Sequence, residues 1–132
     1  MSYATKLYQK NSTNHAQAID LVIDIYDEAV NALEEALQAI NDNRIQDRFM
    51  ATEKARKYLI GLSSSLNKNN EETQTLSKTL ENYYVVINDL LTRINVYNKP
   101  ETCLAAIQSL KEMAECWREV KSTAQEEVSP QI

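Results

Sequence analysis

Few residues of this 132-residue chain have the type and spacing that catalysis or metal binding needs. His15 is the single histidine, and no Glu precedes it by three residues, so the Glu-x-x-His pairs of di-iron bundles are absent. Gly61 is the single glycine, whereas loops that cradle phosphate need several. Cys103 and Cys116 lack the Cys-x-x-Cys spacing and the neighbouring histidines of zinc sites. We therefore predict a protein that is not an enzyme and that holds no metal or cofactor.

The cysteines also indicate the cellular compartment in which the protein is expected to occur. Cys103 and Cys116 lie on one predicted helix, so about 20 Å separates them along its axis. A disulfide needs α-carbons within about 7 Å, so the two thiols are not expected to pair with each other. The first ten residues, MSYATKLYQK, contain no apolar core of a signal peptide. We expect reduced thiols and a cytoplasmic location.

Charge and hydropathy exclude two classes of partner. The net charge of −5 argues against nucleic acid, because phosphate binding depends on clustered Lys and Arg. No such cluster suggests attachment to an anionic lipid surface. No stretch approaches the roughly 20 apolar residues of a membrane span, so membrane insertion is not expected either.

The distribution of turn-forming residues predicts an all-α fold. One Gly and two Pro are too few for the frequent turns of a β-sandwich or barrel. Polar clusters at 41–44 (NDNR), 67–70 (NKNN) and 98–100 (NKP) are typical of turns. The helices predicted between them span about residues 15–40, 44–66, 71–97 and 100–122. Because the connections are short, neighbouring helices must run antiparallel, as an up-down four-helix bundle.

The bundle is predicted to occupy residues 15–122, with an N-terminal arm at 1–14 and a flexible C-terminal tail at 123–132. Each predicted helix carries apolar residues at steps of four and three, which is the seam of helices that pack at shallow angles. The four predicted seams are Ile19, Ile23, Tyr26, Val30, Leu33, Leu37 and Ile40; Ile45, Phe49, Thr52, Ala55, Leu59, Leu62 and Leu66; Leu76, Leu80, Tyr83, Ile87, Leu90, Ile94 and Tyr97; and Cys103, Ile107, Leu110, Ala114 and Trp117.

The first predicted helix also carries a second apolar stripe, turned roughly 160° from its seam. Its members are Leu21, Ile25, Ala29 and Ala32. A helix that contacts two neighbours in a bundle needs a wide apolar face, and the second stripe fits that role. Alanines flanked by larger residues also form a shallow groove that suits another helix. We predict these four residues as groove-lining and expect Leu7 and Tyr8 of the arm to cover the groove when it is empty.

Several short motifs occur in order along the chain. The arm has the form Y…Y-Q-x-N, with Tyr3, Tyr8, Gln9 and Asn11. The stretch DLVIDIYDEAVNALEEALQAI follows, an apolar run that ends in Tyr-Asp and continues with small residues. NKPE opens the last predicted helix, and AIQSLKEMAECWREV carries a Trp near its end. Together these features, over residues 3–121, resemble the flagellin-specific export chaperones of the FliS family.

The resemblance implies a function without catalysis. A FliS-like protein binds the disordered C-terminal region of flagellin, prevents premature polymerisation and assists delivery to the flagellar type III export apparatus. Tyr8 matches the arm tyrosine that plugs the groove and, after client binding, contacts the export-gate membrane protein, and Leu7 is its neighbour. Tyr26 and Asp27 match the Tyr-Asp of the first helix, and Trp117 matches the aromatic residue that closes the bundle. Such a protein is expected to be mainly monomeric before it binds its client.

Two other functions remain open from the residues alone. Phosphotransfer domains that use a histidine are also acidic four-helix bundles, and His15 would then be the phosphoacceptor. A solvated polar residue near a helix start is the plainer interpretation of His15 within STNHAQ. A helical adaptor that dimerises through the second stripe is the other possibility.

Overall fold

Four α-helices in series make up the computed structural model, which describes residues 3–66 and 71–128, with side-chain environments for 17–66 and 71–123. The helices are α1 (Tyr3–Asn41), α2 (Ile45–Ser64), α3 (Gln74–Tyr97) and α4 (Pro100–Val128). Within the described ranges there is no strand. The predicted all-α fold is confirmed.

The helices form an up-down bundle in which each contacts its two neighbours around a ring. α1 packs against α2 and α4, and α3 packs against the same two helices. Arg48 and Arg56 of α2 reach Asn95 and Asn88 of α3, so the residue number falls on α3 as it rises on α2. When contacting residues have rising numbers on one helix and falling numbers on the other, the two helices run antiparallel. α1 lies closer to its two neighbours than α3 does.

Asparagines terminate two of the helices. Asn43 and Asn98 have φ values of 57° and 53°, in the left-handed region that Asn tolerates better than most residues. Pro100 is the first residue of α4, where its missing N–H leaves no partner unsatisfied. Two of the three predicted turns are thus confirmed, and the third, at 67–70, lies outside the described residues.

The first and last helices are longer than the sequence pattern indicated. α1 begins at Tyr3 rather than near residue 15, so its backbone includes most of the segment predicted as an arm. α4 continues to Val128, into the predicted tail. With 39 residues, α1 is about 58 Å long, whereas the 20 residues of α2 span about 30 Å. The extension was missed because residues 9–17 are almost all polar and carry no apolar period.

The core confirms the predicted seams of α1 and α4 and corrects parts of those of α2 and α3. Ile23, Tyr26, Val30, Leu33 and Ile40 of α1 are buried, as are Cys103, Ile107, Leu110 and Ala114 of α4, with Trp117 partly buried against them. On α2 the prediction was wrong at Ile45 and Phe49, which are exposed, while Arg48 and Ala51 are buried instead. The reason is that Arg48 turns inward to the end of α3.

On α3 the predicted seam is confirmed at Leu80, Ile87 and Ile94, which are buried, and is wrong at its other positions. Leu76 and Tyr97 are exposed, Tyr83 and Leu90 are partly buried, and Tyr84 and Leu91 are buried. Apolar residues stand in adjacent pairs at 83–84 and 90–91, so either member of each pair fits a seam. The Tyr84 hydroxyl lies 2.8 Å from the Tyr26 hydroxyl in the core, and this hydrogen bond favours burial of Tyr84 over Tyr83.

Candidate functional site

The second stripe of α1 is open to solvent at one end only. The Leu21 side chain is 60% exposed and Ile25 is partly buried. Ala29 and Ala32 are 0% and 1% exposed, so both belong to the core. The predicted groove therefore does not extend along α1 in this conformation. Ala29 and Ala32 face the protein's own helices.

The length of α2 explains where the stripe is covered. Glu35 and Gln38 of α1 lie beside Ala51 and Lys54 of α2, which fixes the register of this antiparallel pair. By that register α2 ends, at Ser64, near the level of Ile25, so Leu21 lies one turn beyond the end of α2. Alanines allow two helix backbones to approach closely, so the small residues of the stripe bring α2 against α1. On the other side of α1, the Cys103 thiol of α4 donates a hydrogen bond of 3.2 Å to the Leu33 carbonyl oxygen.

Three other residues singled out in the sequence have no described side chain. Leu7, Tyr8 and His15 lie within the backbone span of α1, but their side chains fall outside the described residues. The predicted cover for the groove, the export-gate contact and the phosphoacceptor therefore stay predictions.

Exposed apolar side chains are concentrated on α2 and α3. Among the described side chains α1 exposes one large apolar residue and α4 exposes two, whereas α2 exposes four and α3 exposes five. On α2 and α3 they are Ile45, Phe49, Met50, Ile60, Leu76, Val85, Val86, Val96 and Tyr97. Apolar groups clustered in this way, rather than scattered singly, are typical of a surface that binds another chain.

Five of these residues lie along the line where α2 and α3 meet. Ile45, Phe49 and Ile60 lie three turns before, two turns before and one turn after Arg56 along α2, so they share its stripe. Arg56 reaches across to α3, where it donates hydrogen bonds to the Asn88 side chain and, at 3.3 Å, to Thr92.

Two valines occupy the same side of α3. Val85 is one turn before Asn88, and Val96 is one turn after Thr92. We name the set of Ile45, Phe49, Ile60, Val85 and Val96 the α2–α3 face. Each of the five side chains is at least half exposed.

A buried arginine sets the register at one end of this face. Arg48 is 8% exposed and donates hydrogen bonds to the Asn98 side chain and, at 3.1 Å, to the Asn95 carbonyl oxygen. No carboxylate pairs with it among the described residues. Its charge is instead compensated by the last turn of α3, where unsatisfied carbonyls form the negative end of the helix dipole. Arg48 therefore ties the start of α2 to the end of α3.

The opposite side of the bundle is polar. Arg118 of α4 lies 2.7 Å from the Asp27 carboxylate of α1, and Lys111 lies 3.4 Å from Glu34. Lys121 pairs with Asp20 one level further along. We call these three ion pairs the α1–α4 seam. Their side chains are between a third and just over a half exposed, so they hold α4 to α1 without forming an apolar surface.

The tyrosines and cysteines of the core do not form a reactive site. Burial raises the pKa of Tyr26 well above its usual range, and the hydrogen bond with Tyr84 adds to that effect. Burial also raises the pKa of the Cys103 thiol to about 11, so this thiol is protonated and unreactive at neutral pH. Cys103 and the exposed Cys116 are both free. The described residues hold no cluster of His, Cys, Asp and Glu that could bind a metal.

Comparison with known proteins decides the family. The model of the FliS family, described as flagellar protein FliS, matches residues 1–124. The chain belongs to the FliS family. No curated protein matches it. None of the helices in the described ranges is long and apolar enough to cross a membrane.

Membership of the FliS family supports a flagellar chaperone role, and the apolar surface of this FliS-family chain lies elsewhere than its sequence indicated. Sequence analysis missed the α2–α3 face because Ile45 and Phe49 continue the spacing of the α2 seam and were assigned to the core. One signal was present: Val85 and Val86 are adjacent, so one side of α3 had to expose a valine.

Proposed function

We propose that this FliS-family protein is a chaperone for flagellin. In this proposal it binds the disordered C-terminal region of flagellin, prevents premature polymerisation and assists delivery to the flagellar type III export apparatus. The observation that carries the proposal is the family match over residues 1–124. The exposed apolar side chains of α2 and α3 supply a surface for such a client.

The physical mechanism requires burial of apolar surface and no bond chemistry. Client segments that form amphipathic helices in a filament expose their apolar sides when they are alone. Docking these sides on the α2–α3 face removes both surfaces from water, at roughly 25 cal/mol for each Å² of apolar area. Ordering the client costs about 2–5 kcal/mol or more, so a long contact is expected. Phe49, at 52% exposure, is the largest side chain of the face and the expected anchor.

The end of the second stripe is a smaller part of the proposed binding surface. Leu21 and Ile25 remain accessible or partly accessible there, next to the end of α2. Ala29 and Ala32 would join it only if α2 moved away from α1. In α1, Tyr8 precedes Leu21 by 13 residues, or about 20 Å along the same helix. Leu7 and Tyr8 are proposed to cover this end before the client arrives, which requires the first turns of α1 to unwind and fold back, and then to contact the export-gate membrane protein. The protein is proposed to act in the cytoplasm, as a monomer until it binds flagellin.

A binding experiment with two matched variants tests the proposal. The full chain is mixed with a peptide of the C-terminal region of flagellin, followed by size-exclusion chromatography and circular dichroism. We expect co-elution and more helix than the two components contribute separately. The variant Phe49→Ser should weaken binding by about tenfold or more, since a central aromatic anchor is typically worth over 1 kcal/mol.

The control is Leu104→Ser on α4, where the original side chain is 51% exposed but lies away from the α2–α3 face. This variant should bind the flagellin peptide as the unchanged protein does. If the unchanged protein neither co-elutes with the peptide nor gains helix, the proposed function is wrong. If Leu104→Ser weakens binding as much as Phe49→Ser does, the client binds elsewhere on the bundle.

A further inference from the structure

Charge is divided unequally between the two sides of the bundle. Residues 44–99, which contain α2 and α3, carry nine Lys and Arg against six Asp and Glu. The remainder, residues 1–43 and 100–132, carries five Lys and Arg against thirteen Asp and Glu. The chain is acidic as a whole, yet the part that contains the exposed apolar surface is net positive by three charges. A division of this kind affects which partners approach and in which orientation.

Lysines border the α2–α3 face along its length. Lys57 is one turn before Ile60 on α2, and Lys78 is two turns before Val85 on α3. Lys99 follows Val96 by three residues. All three are exposed, and none forms an ion pair with another residue that the structure describes. The nearby acids Glu53 and Asp89 are already paired, with Arg56 and Arg93. A third acid, Glu81, lies one turn after Lys78 on α3, so the positive charge of the border is stronger at Lys57 and Lys99 than at Lys78.

The apolar side chains of the face fall into two groups with a polar centre. By the register that Arg48 and Arg56 fix, Phe49 lies near the level of Val96, and Ile60 near that of Val85. Phe49 and Ile60 are 11 residues apart, as are Val85 and Val96, which places the two groups about 16 Å apart. Arg56, Asn88 and Thr92 occupy the space between them. A partner helix would match this pattern with apolar residues three turns apart and a hydrogen-bond acceptor between them.

We propose that the α2–α3 face selects an amphipathic helix with acidic flanks, whose apolar residues contact the Phe49–Val96 and Ile60–Val85 groups and whose carboxylates meet Lys57, Lys78 and Lys99. This inference rests on the proposed function, because it specifies the kind of client segment that the face accepts. Apolar contact supplies most of the affinity, and the lysines exclude helices with basic flanks by like-charge repulsion.

Two designed peptides test the selection directly. Both are helical and have identical apolar positions, three turns apart, but one has Glu on its flanks and the other has Lys. Fluorescence anisotropy of labelled peptides with the full chain measures both affinities. At an ionic strength of about 0.05 M we expect the Glu peptide to bind at least about tenfold more tightly. At about 0.5 M the difference should shrink to a fewfold, because salt screens exposed charges.

Charge-reversal variants of the protein test which lysines cause the preference for the Glu peptide. The double variant Lys57→Glu with Lys78→Glu should remove or invert the preference for the Glu peptide. Lys54→Glu is the matched control, since Lys54 is also exposed on α2 but borders the groove between α1 and α2. It should leave most of the preference in place, and circular dichroism should show all variants folded. Equal affinity for the two peptides, or tighter binding of the Lys peptide, would overturn the inference.

Other occupants of the face give distinct results. If a second copy of the chain binds there, through its acidic α1–α4 side, sedimentation shows a dimer that Phe49→Ser dissociates, and the inference is overturned. Failure of the proposed function is separately visible. A flagellin peptide that does not bind, while the Glu peptide does, leaves the charge selection intact but removes flagellin as the client. A flagellin peptide that binds the unchanged protein and the Lys57→Glu, Lys78→Glu variant equally well supports flagellin as the client but overturns the charge selection.

Discussion

The two sides of this bundle differ in how they hold together and in what they expose. Around α1, small residues bring α2 close and ion pairs hold α4, and Leu21 is the only large exposed apolar residue of α1 among the described side chains. On the α2–α3 side, helices lie further apart, Arg48 and Arg56 provide polar contacts, and nine large apolar side chains are exposed. The α2–α3 half carries the surface that we propose for client binding, and the α1–α4 half exposes fewer large apolar side chains.

This difference between the two sides shows that a stripe of small residues on a helix does not by itself mark a surface that is open to a partner. Alanines along α1 suggested a place for a foreign helix, but the protein's own α2 occupies most of it. Large apolar side chains stay exposed on α2 and α3, which approach each other less closely than α1 approaches its neighbours. The following substitutions test this contrast.

The largest effect is expected from a cavity in the closely packed half. Leu33→Ala should lower the free energy of unfolding by about 2–5 kcal/mol, because Leu33 is fully buried. Leu91→Ala, equally buried on α3, should cost less within that range, because the looser neighbours of α3 can relax into the space. Urea unfolding followed by circular dichroism measures both values. A larger loss for Leu91→Ala would contradict the contrast between the two halves.

Overfilling the α1–α2 interface should have the next largest effect. Ala32→Leu is expected to lower the free energy of unfolding by about 1–3 kcal/mol, because α2 leaves no room for three extra carbons. Ala105→Leu, at an exposed position of α4, should change it by less than about 0.5 kcal/mol. If Ala32→Leu unfolds like the unchanged protein, Ala32 lines an open groove as the sequence analysis predicted.

Removal of the buried arginine tests the polar tie of the α2–α3 half. Arg48→Met keeps the apolar stem but leaves the Asn95 carbonyl and the Asn98 side chain without their donor. We expect a loss of about 1–2 kcal/mol in the free energy of unfolding. Hydrogen exchange should rise most in the last turn of α3, which Arg48 contacts. Uniform exchange along α3 would show that Arg48 contributes no local anchoring.

The smallest effect is expected at the α1–α4 seam. Asp27→Asn removes the ion pair with Arg118, in which both side chains are more than 40% exposed. Exposed pairs contribute up to about 1 kcal/mol, and this contribution should shrink as salt is added. Thermal unfolding at low and high ionic strength measures it. A loss above that of Arg48→Met would mean that charge pairs, rather than the buried apolar contacts of the core, hold α1 to α4.

Most of the fold was predictable from local patterns. Asn-rich clusters and a near absence of glycine predicted the helices and two of the turns, and the alternating steps of α1 and α4 identified buried residues such as Leu33 and Leu110. The helix start near residue 15 was wrong, because a polar helix has no apolar period to mark it. The candidate site was predictable only in part, since Leu21 is exposed but Ala29 and Ala32 are not.

The sequence by itself determined that this chain forms helices, where most of them end, and the family to which it belongs. Only the tertiary structure decided which apolar residues face solvent. Adjacent apolar pairs such as Tyr83–Tyr84 offer a helix two seams of similar quality, and the choice depends on how the neighbouring helices pack. Three features of the packing determine which residues are buried. They are the burial of Arg48, the Tyr26–Tyr84 hydrogen bond and the close approach of α2 to α1. The α2–α3 face consists of the apolar side chains that this arrangement left outside.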